Sequence, residues 1–196
     1  MWYVIRTEPG QEESVRRQVR DRMSGDDPND CKVLYRACKK RYLGAWHDEK
    51  ELFLPGYLFW VTKDSKSGWK YSHEMLETAG IIRHDGIFSS RELSPVGKNE
   101  EEFLKRITGE KDEIGMSYGV IRNGVLKISQ GAMVGMEDRV TKIDRHKRKG
   151  YIRVRFDDEE RVVEIGLEIT EKTYFMGNMS RLEENCIKEY SPGKRA

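Results

Sequence analysis

Hydrophobic and polar positions change their period several times along the chain, and each change marks an element. The first residues, Trp2-Tyr3-Val4-Ile5-Arg6-Thr7, are aromatic and β-branched and run into Pro9-Gly10, which predicts a strand over 2–7. Over 11–23 the spacing becomes helical. Val15, Val19 and Met23 fall four residues apart while Arg16, Arg17, Arg20 and Arg22 lie on other faces, so an amphipathic helix is predicted, ended by the acidic turn at 24–30. Val33-Leu34-Tyr35 then open a segment over 31–46 that carries Lys39-Lys40-Arg41, a cluster placed on or near a hairpin, where its charge stays solvated. The run ELFLPGYLFW at 51–60 gathers aromatic residues around Pro55-Gly56 and predicts a tight turn followed by a strand over 56–62. Taken alone, that run fits a buried central strand at least as well as a surface that needs a partner to cover it.

Further along, Met75, Leu76 and Ala79 at helical spacing before Gly80 predict a helix over 69–79, and Ile81-Ile82 start a short strand. Asn99 is the expected cap of a third helix, with Glu100, Glu101 and Glu102 in its first turn, Phe103 and Ile107 on one face and Gly109 as its stop. Strand, helix, strands, helix, strand, helix is the order of an α+β sandwich with helices on an antiparallel sheet. The polar segment 110–119 lacks a period and reads as a flexible linker. After it come Leu126 and Ile128, then Ile152, Val154 and Phe156 alternating with Tyr151, Arg153 and Arg155, then an acidic turn at 157–160, and then Leu167 and Ile169. About five short strands of this kind predict a small β-barrel. The expected organisation is a sandwich domain over 1–109, a linker over 110–119, a barrel over 120–172 and a polar extension over 173–196.

Composition narrows the possibilities without naming a function. The 196 residues suffice for one large or two small domains, and the 36% of charged against 37% of hydrophobic residues suits small ones. A net charge of only +2 means that any attraction to nucleic acid has to come from local clusters. Cys31, Cys38 and Cys186 are odd in number and show no CxxC spacing, which argues against a disulfide framework and against zinc and points to a reducing cytoplasm. A thiol nucleophile at Cys31 or Cys38 needs a base such as His47, His73 or His84, and no spacing supplies one, so neither enzymatic activity nor a cofactor or metal is expected. No apolar run reaches the length of a membrane span, and Arg6 and Glu8 interrupt the apolar core of a signal peptide, so a soluble cytoplasmic protein is expected.

Several motifs fall in one order: Trp2-Tyr3-Val4, Phe53-Leu54-Pro55-Gly56-Tyr57, the helix after Ser94-Pro95, and the terminal strands with Gly131 in their first turn. Together, over roughly 2–172, they resemble the NusG family of transcription elongation factors. The resemblance implies a monomer whose N-terminal NGN domain docks on the clamp helices of RNA polymerase and bridges the DNA channel, with a KOW barrel that recruits a second partner. Under it, Tyr3, Phe53, Pro55, Gly56, Tyr57 and Phe59 fall in or beside the hydrophobic docking surface, where desolvated aromatics are the expected hot spots. For Tyr3 and Phe59, filling the domain's own core is an equal alternative, because strand residues alternate between faces.

The chain also departs from the family pattern. Gly135 is followed by Glu137-Asp138, so that Asp138 stands where a turn glycine is usual, and residues 142–149, KIDRHKRK, then bring five basic residues against one acid. Lys142, Arg145, His146, Lys147, Arg148 and Lys149, with Arg153 and Arg155 on the next strand, form a candidate cationic face for a phosphate backbone, with arginines able to favour guanine. These features resemble a specialised branch of the family, the LoaP antiterminators, and imply binding of a nascent RNA hairpin. Lys39, Lys40 and Arg41 are candidates for contact with DNA of the transcription bubble. The alternative is a general elongation factor or a ribosome-associated RNA-binding protein whose barrel binds a protein.

Overall fold

In the computed structural model, which describes residues 1–23, 29–63, 93–109, 112–156 and 159–173, the two most apolar segments of the sequence lie side by side. Strand β1 (Trp2–Arg6) is flanked by β5 (Tyr57–Val61) and β6 (Leu93–Pro95), and β2 (Asp30–Lys32) adds to the outer side of β5, giving the order β2-β5-β1-β6. Both β1 and β5 are antiparallel to each other, with Tyr3 opposite Trp60 and Val4 opposite Phe59. Each is buried on both faces, which explains why neither alternates apolar with polar. On one face Tyr3, Ile5, Leu58 and Trp60 pack with Val15 and Val19 of α1 (Glu12–Arg20). On the other, Trp2, Val4, Tyr57 and Phe59 join a core that runs through α2 (Lys98–Thr108) and on into the last third of the chain.

The helix expected to be capped by Asn99 begins two residues earlier, at Lys98, and its cap is Gly97. The reason is local: Val96 donates its N–H to the Trp2 carbonyl, extending the edge of the sheet, so the Gly97 carbonyl is the first free to take a helical N–H, from Glu101 at 2.8 Å. Gly109 ends α2 with a φ of 57°. Strands β3 (Tyr35–Tyr42) and β4 (Ala45–Leu52) form the expected hairpin, turning through Leu43 and Gly44, both with positive φ, as a two-residue turn requires. The helix expected over 69–79, the strand at Ile81-Ile82 and the tail beyond 173 lie outside the described residues. Within the segment expected to be a linker, β7 (Glu113–Ile114) pairs in parallel with β3, and Ile114 is fully buried.

Beyond it, β8 (Ser117–Arg122), β9 (Val125–Gln130), β10 (Val140–Asp144), β11 (Lys149–Phe156) and β12 (Glu159–Thr173) form one sheet in the order β10-β11-β12-β8-β9. Among the described residues five strands are present, as expected, but this sheet, like the others, is not closed into a barrel: β12 is shared lengthwise between antiparallel β11 and parallel β8, and the sheet's edge strands β10 and β9 do not pair with each other. Its apolar face is sealed by the front part of the molecule. Ile152, Val154, Phe156, Val163 and Ile165 belong to the same buried cluster as Phe59, Phe103 and Leu104. Strand β12 lies so close to β3 that a Cβ at Gly166 would stand 2.5 Å from the Ala37 carbonyl oxygen. Gly131 has φ 102° and touches the backbone of Met116, so a side chain is barred there on both counts.

Candidate functional site

The Pro55-Gly56 turn is pinned from below by a carboxylate. Glu12, in the first turn of α1 and 2% exposed, accepts the Gly56 N–H at 2.6 Å with Oε1 and the Gly10 N–H at 2.8 Å with Oε2. Thr7 donates its N–H to the Gly56 carbonyl at 2.9 Å, and Gly56 holds φ 86°, a conformation that favours glycine. The turn is therefore fixed to the loop after β1, with Pro55 exposed at its tip. Phe53, Tyr57 and Phe59 then face the same way, into the larger core, whereas Tyr3 lies on the opposite side of the sheet against α1. Burial, followed by the Glu101 charge, raises the Tyr3 phenol above its ordinary range.

The aromatic face is covered by the rear sheet. Phe156 lies 5.6 Å from Phe59, edge to face, and 6.2 Å from Tyr57. The Arg161 guanidinium stands 4.9 Å above the Tyr57 ring and that of Arg6 6.0 Å from it. Both arginines also reach Glu159, Arg161 at 2.5 Å and Arg6 at 3.5 Å, and together they hold its carboxyl below the ordinary range, Arg161 most of all.

On the opposite rim, β10 and β11 meet in the basic hairpin. Arg145, His146 and Lys147 are exposed at its tip, and the Lys147 N–H is tied to Asp144 at 3.0 Å. On the strands, Lys142 lies 5.4 Å from the Tyr151 ring, Arg153 is 3.5 Å from Glu160, and Arg155 is exposed, so Tyr151, Arg153 and Arg155 alternate outward as their spacing predicts. Arg148 and Lys149 differ from their neighbours. Arg148 holds φ 53°, its guanidinium lies 4.2 Å over the Trp46 ring of β4, and Glu168 is 3.3 Å away. Lys149 is 2.6 Å from Glu164, whose Oε2 also accepts a hydrogen bond from Arg36 of β3 at 2.7 Å. Arg36 is itself buried, pairs in addition with Glu51, and has no partner for Nη1 among the described residues.

The candidate DNA contacts are largely occupied. Lys39 bonds Asp48 at 2.7 Å and Lys40 pairs with Glu51 at 2.8 Å, which raises both ammonium groups and, through Lys40 first, lowers the Glu51 carboxyl; Arg41 is exposed. Cys31 and Cys38 are buried thiols; burial, with the Asp30 charge, pushes Cys31 up to about 12 and, with Glu51, raises Cys38. His47 is stacked on Tyr42 at 3.8 Å, and its Nε2 contacts the Tyr42 carbonyl. His73 and His84 lie outside the described residues. Among the described residues, no helix is long and apolar enough to cross a membrane.

Sequence patterns alone point to neither Glu12, Trp46, Arg36, Glu164 nor Arg161 as parts of these sites. Their roles come from contacts between elements distant along the chain. Phe156 carried a signal, as the last inward residue of an alternating strand, but that spacing cannot say whose core it enters.

The chain has no match among the curated proteins. A family profile described as transcription termination factor nusG matches residues 1–105. That span takes in β1, α1, the pinned Pro55-Gly56 turn and most of α2, more than half of the chain. The chain belongs to the NusG family of transcription factors.

Proposed function

We propose that the chain is a processive antitermination factor that grips RNA polymerase with its front module and nascent RNA with its rear one. The observation that carries this reading is the family match over residues 1–105, because it includes the turn that presents Phe53, Tyr57 and Phe59. Members of the family interact with RNA polymerase. Here the docking surface is the aromatic face, centred on Tyr57 and Phe59 and seated on the clamp helices once the rear sheet moves aside. A factor that bridges a closed clamp binds the closed state better than the open one, so pausing and termination, which need a loosened grip, become less populated. No chemical step on the substrate is needed, and the protein acts without a cofactor, in the cytoplasm.

The rear sheet is read as a KOW-type module whose ligand is a leader RNA hairpin. Support comes from Arg145, His146 and Lys147, exposed together at one hairpin tip, with Arg153 and Arg155 exposed on the adjoining strand. Cations at this density act on phosphate oxygens and release counterions, so binding falls steeply with salt. A second reading, a general elongation factor whose rear module binds a protein, is favoured by the pairing of Arg148 with Glu168 and of Lys149 with Glu164.

Terminator readthrough by purified RNA polymerase, with and without the natural leader, separates the two. Arg145→Glu combined with Lys147→Glu reverses two exposed charges and is expected to abolish leader-dependent readthrough while leaving polymerase binding intact. Equal stimulation by both proteins would favour the second reading.

A further inference from the structure

We propose that Trp46 competes with RNA for Arg148, which makes the packed form of the chain its low-affinity form for RNA; the inference rests on the RNA-binding reading above. Arg148 ends the turn of the basic hairpin, yet its side chain does not join those of Arg145, His146 and Lys147 in solvent. The backbone sets its direction. Arg148 holds φ 53°, donates its N–H to the Arg145 carbonyl at 3.3 Å, and accepts the Leu167 N–H at 3.0 Å. From there the guanidinium lies over the Trp46 indole at 4.2 Å, with a Glu168 oxygen at 3.3 Å.

A planar cation between an aromatic ring and an anionic oxygen occupies the environment that an unstacked base and its neighbouring phosphate give an arginine in RNA recognition. The protein supplies both halves of that environment itself, the ring from the front hairpin and the carboxylate from β12. A base stacked on the face of Arg148 that Trp46 covers has to take the place of Trp46. The neighbouring cation is engaged in the same way: Lys149 is 2.6 Å from Glu164, and that carboxylate joins β12 to Arg36 of the front hairpin at 2.7 Å. A phosphate drawn to Lys149 repels Glu164 and weakens the same junction. RNA binding and packing of the two halves are therefore antagonistic. By linkage, whatever separates the halves raises RNA affinity, and bound RNA favours uncovering of Tyr57 and Phe59.

The test uses the full chain and, as probe, a short RNA stem-loop with one unpaired purine beside its closing pair. Affinity is read by fluorescence anisotropy and separation of the halves by small-angle scattering. Trp46 is only half-buried, and Trp46→Ala and Trp46→Gln each delete the competing ring. Both are expected to bind the stem-loop about two- to five-fold more tightly than the wild type, the range that loss of one partly exposed cation–π contact allows. Trp46→Phe, which keeps an aromatic face, is expected to stay near the wild type. Saturating stem-loop is expected to enlarge the radius of gyration of the wild-type chain. Unchanged or weaker binding by the two ring-deleted variants, or an unchanged radius at saturation, overturns the competition and leaves the RNA-binding reading standing. Failure of every form to retain the stem-loop overturns both.

Discussion

At the scale of single residues, the groups that look reactive in the sequence are those the fold makes inert. Cys31 sits on a short edge strand with Asp30 beside it, and its thiol is pushed up to about 12, burial contributing most. The thiolate is the nucleophile, and a free cysteine titrates near 8.5, so at pH 8 the reactive fraction of Cys31 is lower by about a thousandfold. Iodoacetamide at pH 8 is expected to modify Cys31 far more slowly in the native chain than in urea, as followed by peptide mass mapping. Native labelling of Cys31 within minutes would contradict its burial. The same contrast applies to the basic residues. Arg145 and Lys147 are exposed, whereas Arg148 and Lys149, adjacent in sequence and alike in chemistry, are held by carboxylates on β12. Sequence proximity grouped the four, and the backbone at φ 53° divides them.

Among elements, the contact between α1 and the Pro55-Gly56 turn fixes where the aromatic face points. Glu12 and Glu13 complement the dipole of α1 in its first turn, and Glu12 in addition accepts two backbone N–H groups, one from the exposed Gly10 and one from Gly56, whose N–H burial removes from water. Glu12→Ala leaves the buried Gly56 N–H without an acceptor, while the exposed Gly10 N–H can turn to water, and is expected to lower stability by roughly 2–3 kcal/mol in urea unfolding, since bonds to charged acceptors are the stronger kind. Glu12→Gln keeps one acceptor oxygen and is expected to lose about half of that; equal losses for the two would show that the carboxylate acts otherwise than as a double acceptor. Elements were the part of the molecule most legible in the sequence. Apolar period gave β1, α1, β5 and α2, and alternation gave the outward Tyr151, Arg153 and Arg155. What remained hidden depends on pairs far apart in the chain. Glu12 meets Gly56, Arg36 meets Glu164, and Phe156 meets Phe59, and no local pattern encodes such meetings. The open rear sheet has the same origin: five short alternating strands suit a closed barrel as well as a sheet whose apolar face is sealed by another module.

For the molecule as a whole, the question is how firmly the rear sheet holds the aromatic face, because that sets how much of the chain can reach polymerase. The apolar part of the junction, Phe156 against Tyr57 and Phe59, is insensitive to pH, but its rim is not. Glu159 of β12 bridges Arg161 of its own strand to Arg6 of β1, and these two arginines lower its carboxyl. Beside the junction, Glu51 is lowered by its hydrogen bond from Lys40 and then by Arg36, the residue that also binds Glu164 across the junction. A carboxyl whose folded pKa lies below its unfolded one stabilises the folded form above the unfolded pKa and loses that contribution as pH falls through the folded value. Acidification from about pH 5 to about pH 3 therefore weakens the rim before it threatens the hydrophobic strand pairs, since unperturbed glutamates titrate near 4.3. In an acid titration, small-angle scattering is expected to report expansion of the chain at a higher pH than far-ultraviolet dichroism reports loss of strands. Glu159→Gln removes one titrating rim carboxylate and its attraction for Arg6, so that variant is expected to be more expanded already at pH 7 and to change less on acidification. If expansion and loss of strands coincide in both proteins, the two halves form one cooperative unit, and docking on polymerase would then have to occur without separation of the rear sheet.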